Sequence, residues 1–173
     1  MGTREAAALN MLHAKWFGQQ QITRYRPMFN RYSKVDGIFF SGCTDCVFEF
    51  KMRNNHIFEY DSTTFIEREK YISLLDAASI IDGKALYIVD YPECVLVYDV
   101  TAIRNISFRN LNLPNSTLRG RTKPVPKSIA DLSLYDADFV ISKTSTGYIR
   151  RSAEALKQFI IKNKNNMIVS NLS

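Results

Sequence analysis

No apolar run in this chain of 173 residues approaches the ~20 residues that a membrane-spanning helix needs. Cysteine is scarce and odd in number: three residues argue against a disulfide framework and for a reducing compartment. Seven glycines and five prolines rule out a collagen-like or low-complexity chain, and no internal repeat is visible. The start, Met1 to Arg4, leads into a polar-studded stretch without the apolar core of a signal peptide. What is present is ordinary for a globular protein, 46% hydrophobic and 23% charged residues. A chain of this size buries ~70% of its unfolded surface and needs no staples. These features predict one soluble domain over residues 1–173, in the cytoplasm, with no membrane partner.

The net charge of +6 is unevenly spread. Residues 1–35 carry +5, residues 36–100 carry −7 and residues 101–173 carry +8. Charge runs commonly form solvated faces. An acidic middle between basic ends is also what a metal-dependent enzyme acting on a polyanion requires. Carboxylates hold the cation, and surrounding Lys and Arg hold phosphates and focus the field.

Along the chain, Arg4 to about Gln20 reads as an amphipathic helix, capped by Thr3 and with Glu5 in the first turn, where the helix dipole favours an acid. Residues 21–33 read as irregular and basic. The β-branched and aromatic runs Lys34–Phe40 and Cys46–Met52, across a turn at 41–45, predict a β-hairpin. Helical spacing predicts a second helix from Thr63 or Thr64 to Ile81, stopped by Asp82-Gly83. Strands are expected at 85–90, 95–100 and 139–142, and a last helix over 148–163. Residues 101–137 follow no clear period. Within them, Gly120, Pro124 and Pro126 break up 115–127, which carries Arg119, Arg121, Lys123 and Lys127 and reads as an exposed basic loop. The order predicts an α/β (α+β) fold, a mixed sheet with helices against its faces.

Glu49 and Lys51 are two apart in a strand and share a face, opposite Phe48, Phe50 and Met52. If Ser41 pairs with Cys46, Asp36 falls opposite Lys51 and diagonal to Glu49, within ~5–8 Å. Two carboxylates and an ammonium then converge on one hairpin face. For an isolated Glu-x-Lys the plainer reading is an exposed ion pair worth ~0.2–1 kcal/mol. Cys43-x-x-Cys46 lacks the second ligand pair of a zinc site and sits in a hairpin turn, not at a helix start. His56 reads as a surface or loop histidine.

Glu5 in a first helix, then Val35-Asp36-Gly37-Ile38 and Val47-Phe48-Glu49-Phe50-Lys51-Met52-Arg53, and a following helix with Glu67-Arg68-Glu69-Lys70-Tyr71, resemble the PD-(D/E)XK nuclease superfamily. The likeness covers about residues 4–100 and is nearest to its resolvase-like and phage-encoded members. Val35 stands where the family often has Pro. The resemblance implies a restriction-endonuclease-like core, α-β-β-β-α-β, whose remaining strand is expected within Ile57–Tyr60. Residues 101–173 would form a basic loop and C-terminal extension. It also implies a Mg²⁺-dependent deoxyribonuclease, with Mn²⁺ as a substitute cation. Asp36, Glu49 and the Phe50 backbone carbonyl would be the metal ligands, Glu5 would reach the metal through a water or ligate a second cation, and Lys51 would hold or activate the attacking water. Lys70 is a weaker candidate for steadying the phosphate, with a solvated i,i+3 pair to Glu67 as the equal alternative. The implied partner is DNA, and a homodimer is the candidate assembly. Apart from the resemblance, the charge of the loop with Arg119, Arg121, Lys123 and Lys127 is read as following a phosphate backbone, with a solvated loop that keeps the protein soluble as the alternative. The competing functions are a non-catalytic nucleic-acid-binding or structural protein of the same fold, and an unrelated α+β interaction domain.

Overall fold

A computed structural model describes residues 22–27, 34–41, 44–59, 63–114, 123–143, 148–150 and 157–161. The expected first helix with Glu5, and Arg119 and Arg121, lie outside them. The fold is mixed α/β, with a central mixed sheet of seven strands and a second sheet of three. In chain order the strands are β1 (Ile22–Pro27), β2 (Gly37–Ser41), β3 (Cys46–Met52) and β4 (Thr63–Glu67). Helix α1 (Arg68–Ile80) follows, then β5 (Lys84–Asp90), β6 (Cys94–Asp99), β7 (Arg109–Pro114), β8 (Pro124–Ser133), β9 (Phe139–Ser142) and β10 (Tyr148–Arg150). The large sheet runs β1-β2-β3-β5-β6-β9-β10 and the small one β4-β8-β7. Among the described residues, no helix is long and apolar enough to cross a membrane.

The alternating apolar runs of 46–52 and 84–90 form neighbouring parallel strands, with Val47 beside Ala85 and Lys51 beside Val89. A parallel pair requires a long crossover, which β4 and α1 supply. Both strands are buried on both faces. Val47, Ala85, Tyr87 and Val89 meet Tyr71, Leu74 and Ala78 of α1. Phe48, Phe50, Leu86 and Ile88 gather with Phe39, Val95, Val97 and Ile141 on the other face. There Phe39 stacks on Phe48 with ring centroids 4.2 Å apart. The small sheet joins the α1 side through Ile66, Ala130 and Leu132. The hydroxyl of Tyr87 donates to the Phe65 carbonyl at 2.9 Å and that of Tyr98 to the Ser133 carbonyl at 3.1 Å, tying the two sheets together.

Several expectations are corrected. Ile22–Pro27, read as irregular, pairs antiparallel with β2 and completes a three-stranded meander ahead of α1. The strand expected within Ile57–Tyr60 is instead a 3₁₀ turn over Ile57–Glu59. Thr63–Glu67 is a strand and not the first turn of the helix. Its β-branched and aromatic side chains fit a pleated surface, and pairing with β8 decides the matter. The helix does end ahead of Asp82-Gly83, but Asp82 takes the left-handed conformation, with φ 49°. Gly83 is required for closeness, since a Cβ there would lie 2.3 Å from the Asp45 carbonyl oxygen. Tyr148–Arg150, expected as the start of a helix, is strand β10, and helix is found at 157–161.

Lys123 and Lys127 were expected in an exposed loop. Lys123 is exposed, whereas Lys127 lies within β8 and is half-buried. Pro124 and Pro126 are tolerated there because β4 pairs only with Ile129–Ser133, leaving this stretch with β7 as its one strand neighbour.

Candidate active site

The pairs Gly37↔Phe48, Ile38↔Val47 and Phe39↔Cys46 place β2 two residues away from the register expected for the hairpin. Asp36 therefore stands beside Glu49 and not opposite Lys51. Its N–H donates to the Phe48 carbonyl at 2.9 Å, and its Oδ2 accepts the Phe50 N–H at 2.7 Å. Asp36 is thus bonded to the residues on either side of Glu49. In a strand a residue's N–H and C=O point to the same edge, so Phe50 also directs its carbonyl to the Asp36 side of β3.

Glu49 is buried under α1 rather than exposed, with 8% of its surface accessible. Burial, then the negative charge of Asp36, push its carboxyl up to about 7, against the opposing pull of Lys70 and Lys51. Lys70 Nζ donates to Glu49 Oε2 at 2.9 Å. The alternative pairing of Lys70 with Glu67 is not formed. Lys127 holds Glu67 instead, Nζ to Oε2 at 3.0 Å.

Glu49, Lys51, Glu67 and Lys70 line a narrow cleft together with Phe65, Ile66 and Tyr87. Lys51 forms no ion pair within the described residues. Burial, followed by the charge of Arg53, lowers its pKa, and Glu67 and Glu49 oppose that shift. Arg53 lies over the Phe65 ring, 4.3 Å from its centroid, and donates to the Phe65 carbonyl at 3.3 Å. Across Lys70 from this cleft, Lys34, Glu69, Ser73 and Asp76 line a wider pocket.

The donor set fits a small hard cation. Among the described residues no three His, Cys, Asp or Glu side chains cluster as ligands. Two carboxylates and a backbone carbonyl, with waters completing the shell, match the preference of Mg²⁺ for a few protein oxygens. A dedicated calcium cage or a zinc site would need more side chains or softer ones.

The hairpin and the helix bring Asp36, Glu49, Lys51 and Lys70 together; Lys123 is not among the cleft residues. Sequence reasoning missed Glu67 as a cleft residue and Lys127 as its partner. The β-branched run Thr63-Thr64 before Phe65-Ile66 carried the signal for a strand that delivers Glu67. His56 sits in a loop, half-buried, and pairs with the buried Glu93. The buried Asp90 pairs with Lys143 at 2.5 Å, away from the cleft lining.

Neither a family model nor a curated protein matches the chain. Among solved structures it is similar to the Holliday junction resolvase of the archaeal hyperthermophile Archaeoglobus fulgidus. The identity is 14%, over 76% of this chain and 83% of that one, with a TM-score of 0.47.

Proposed function

We propose that the chain is a divalent-metal-dependent DNA endonuclease, with Mg²⁺ as the working cation and Mn²⁺ able to replace it. The observation that carries this reading is the convergence of Asp36 and Glu49 at the end of the β2–β3 ladder, with Lys51 and Lys70 beside them. Two acids brought this close raise the free energy of the metal-free state, which a role of only binding a polyanion, or a purely structural role, does not need.

Asp36, Glu49 and the Phe50 carbonyl would hold the cation, and Glu5 would approach it through a water. A divalent cation supplies charge stabilisation at the phosphate and acidifies a water. Lys51, half-buried and without an ion-pair partner among the described residues, would hold the attacking water. Lys70 would steady Glu49 in the free protein and turn to a phosphate oxygen when DNA is present. Arg119, Arg121 and Lys123 would follow the phosphate backbone without reading sequence. A second copy of the chain would be needed to cut both strands.

Lys70 on Glu49 favours a second reading, in which the site is closed by its own ion pair and the protein only binds nucleic acid. A cleavage assay on branched, supercoiled, linear and single-stranded DNA, with and without Mg²⁺, separates the two. Metal-dependent cleavage that is lost in Asp36→Asn supports the endonuclease. DNA binding without cleavage of any of the four substrates supports the second reading.

A further inference from the structure

Strands β7 and β8 pair over six positions, from Arg109↔Ile129 to Pro114↔Pro124, but β4 accompanies β8 only from Ile129 to Ser133. Five of those pairs lie beyond the end of β4, as a two-stranded ribbon that reaches about 17 Å past it at ~3.4 Å per residue. The face of β8 that carries Ala130 and Leu132 is buried beside β4. Past β4 the same face turns polar, with Asn110 opposite Ser128 and Asn112 opposite Pro126. Asn110 and Asn112 are exposed, and neither side chain hydrogen-bonds to another described residue.

Three prolines, Pro114, Pro124 and Pro126, guard the ribbon against a further strand, which disfavours a second copy pairing edge to edge. The ribbon starts at the candidate active site, since its Lys127 holds Glu67 of the cleft at 3.0 Å. Residues 115–123, which join its strands, carry Arg119, Arg121 and Lys123 and no acid. A narrow ribbon with exposed amides and a cationic connection is complementary to duplex DNA.

We infer that the β7–β8 ribbon lies in the major groove of duplex DNA and that Asn110 and Asn112 contact base edges there. The groove is about 12 Å wide and admits two strands, which stand ~4.8 Å apart. An asparagine amide matches the N6 donor and N7 acceptor of adenine. Two residues along a strand span ~6.8 Å, as do two nucleotide steps of ~3.4 Å, so the two amides meet bases two steps apart. Arg119, Arg121 and Lys123 hold phosphates and fix the ribbon on the duplex, while the asparagines supply the sequence preference. The inference rests on the proposed action on DNA and adds to it a preferred sequence.

Metal-free protein keeps the test independent of cleavage. Duplexes selected from a random-sequence pool by the parent chain should be enriched in adenine at two positions two steps apart. Replacing those adenines with 7-deazaadenine, which lacks the major-groove N7, should weaken binding by about tenfold or more. Asn110→Ala with Asn112→Ala should bind the selected duplex as weakly as that, and no longer distinguish the two duplexes. Its Tm should match the parent, because both side chains are exposed, and so should its salt slope, because no phosphate contact is removed. A pool without such enrichment, or a double variant that still distinguishes the duplexes, would overturn the inference. The 7-deazaadenine comparison is made on the parent chain and decides the matter even if the double variant does not fold. A parent that distinguishes the duplexes but cleaves none with Mg²⁺ defeats the endonuclease reading alone. One that cleaves them without distinguishing them defeats the ribbon alone.

Discussion

Lys70 Nζ stands 2.9 Å from Glu49 Oε2, so the first turn of α1 sets a cation on the carboxylate that β3 buries. The pair does not fully compensate Glu49. Burial and the adjacent Asp36 outweigh Lys70 and Lys51, and the carboxyl stays at about 7 against an ordinary 4.5. Between about pH 4.5 and 7 the metal-free protein therefore holds a proton that the unfolded chain releases.

Stability should follow that proton. Between about pH 4.5 and 7 the folded state keeps it and the unfolded state does not, so unfolding free energy falls as pH rises. The contribution is present at low pH and lost by neutral pH, and amounts to at most about 3 kcal/mol. Urea unfolding at a series of pH values should show the decline in metal-free protein. Glu49→Gln should flatten it. Mg²⁺ should raise stability most at the upper end of the range, where the carboxylate is free to bind it.

Asp36→Asn and Glu49→Gln should each remove cleavage by about 10³-fold or more, since the cation supplies several kcal/mol at the transition state. Both should fold. The amide oxygen of an asparagine can still accept the Phe50 N–H that Asp36 Oδ2 now accepts. Glutamine relieves the repulsion that Asp36 imposes on Glu49. Thermal melts with and without Mg²⁺ check this: each variant should melt at or above the metal-free parent and show no cation-induced shift. Cleavage at the parent rate by either variant would remove it from the site.

The local patterns were readable where neighbours in sequence decide the structure. The alternation of Val47, Glu49 and Lys51 against Phe48, Phe50 and Met52 gave the strand and both of its faces. The hairpin register differs by two residues from the expected one, because strand alternation does not encode loop length. A slip of two leaves every side chain on its own face, so the gathering of Asp36, Glu49 and Lys51 survives it. What could not be read was long-range pairing. Thr63–Glu67 continues into a helical period, and only β8 makes it a strand. Lys127 looked like part of a loop because Pro124 and Pro126 precede it. Its bond to Glu67 depends on a pairing that no local period encodes.

Gly37 is placed where a side chain cannot fit. A Cβ there would lie 2.5 Å from the Phe48 ring and 2.7 Å from the Arg26 carbonyl oxygen. Gly37→Ala should force Phe48 off its stack with Phe39 and cost about 1–3 kcal/mol. Phe48 precedes Glu49 and accepts the Asp36 N–H, so the same change should also weaken cation binding. Calorimetric melting with a Mg²⁺ titration would read both effects. A loss of stability with an unchanged cation response would show that β2 can shift without moving the acids.

On the proposed function, the basic residues of 119–127 divide in two. Lys127 is engaged by Glu67, so its charge is largely offset within the protein. Arg119, Arg121 and Lys123 have no acidic residue near them in sequence, and Lys123 is exposed. Each phosphate neutralised on duplex DNA contributes about −0.9 to the slope of log K against log salt. Replacing Arg119, Arg121 and Lys123 together by Gln should flatten that slope by up to about 2.7 and weaken binding equally for all sequences. Single-turnover cleavage at saturating DNA should change far less, because the cleft is untouched. Lys127→Gln should do the reverse, lowering Tm and cleavage while leaving the slope nearly as it was. Binding isotherms at several salt concentrations, run for both variants, decide the assignment. If the triple variant keeps the parent slope, the phosphate contacts belong to the basic segment Arg24–Lys34 or to Arg150 and Arg151.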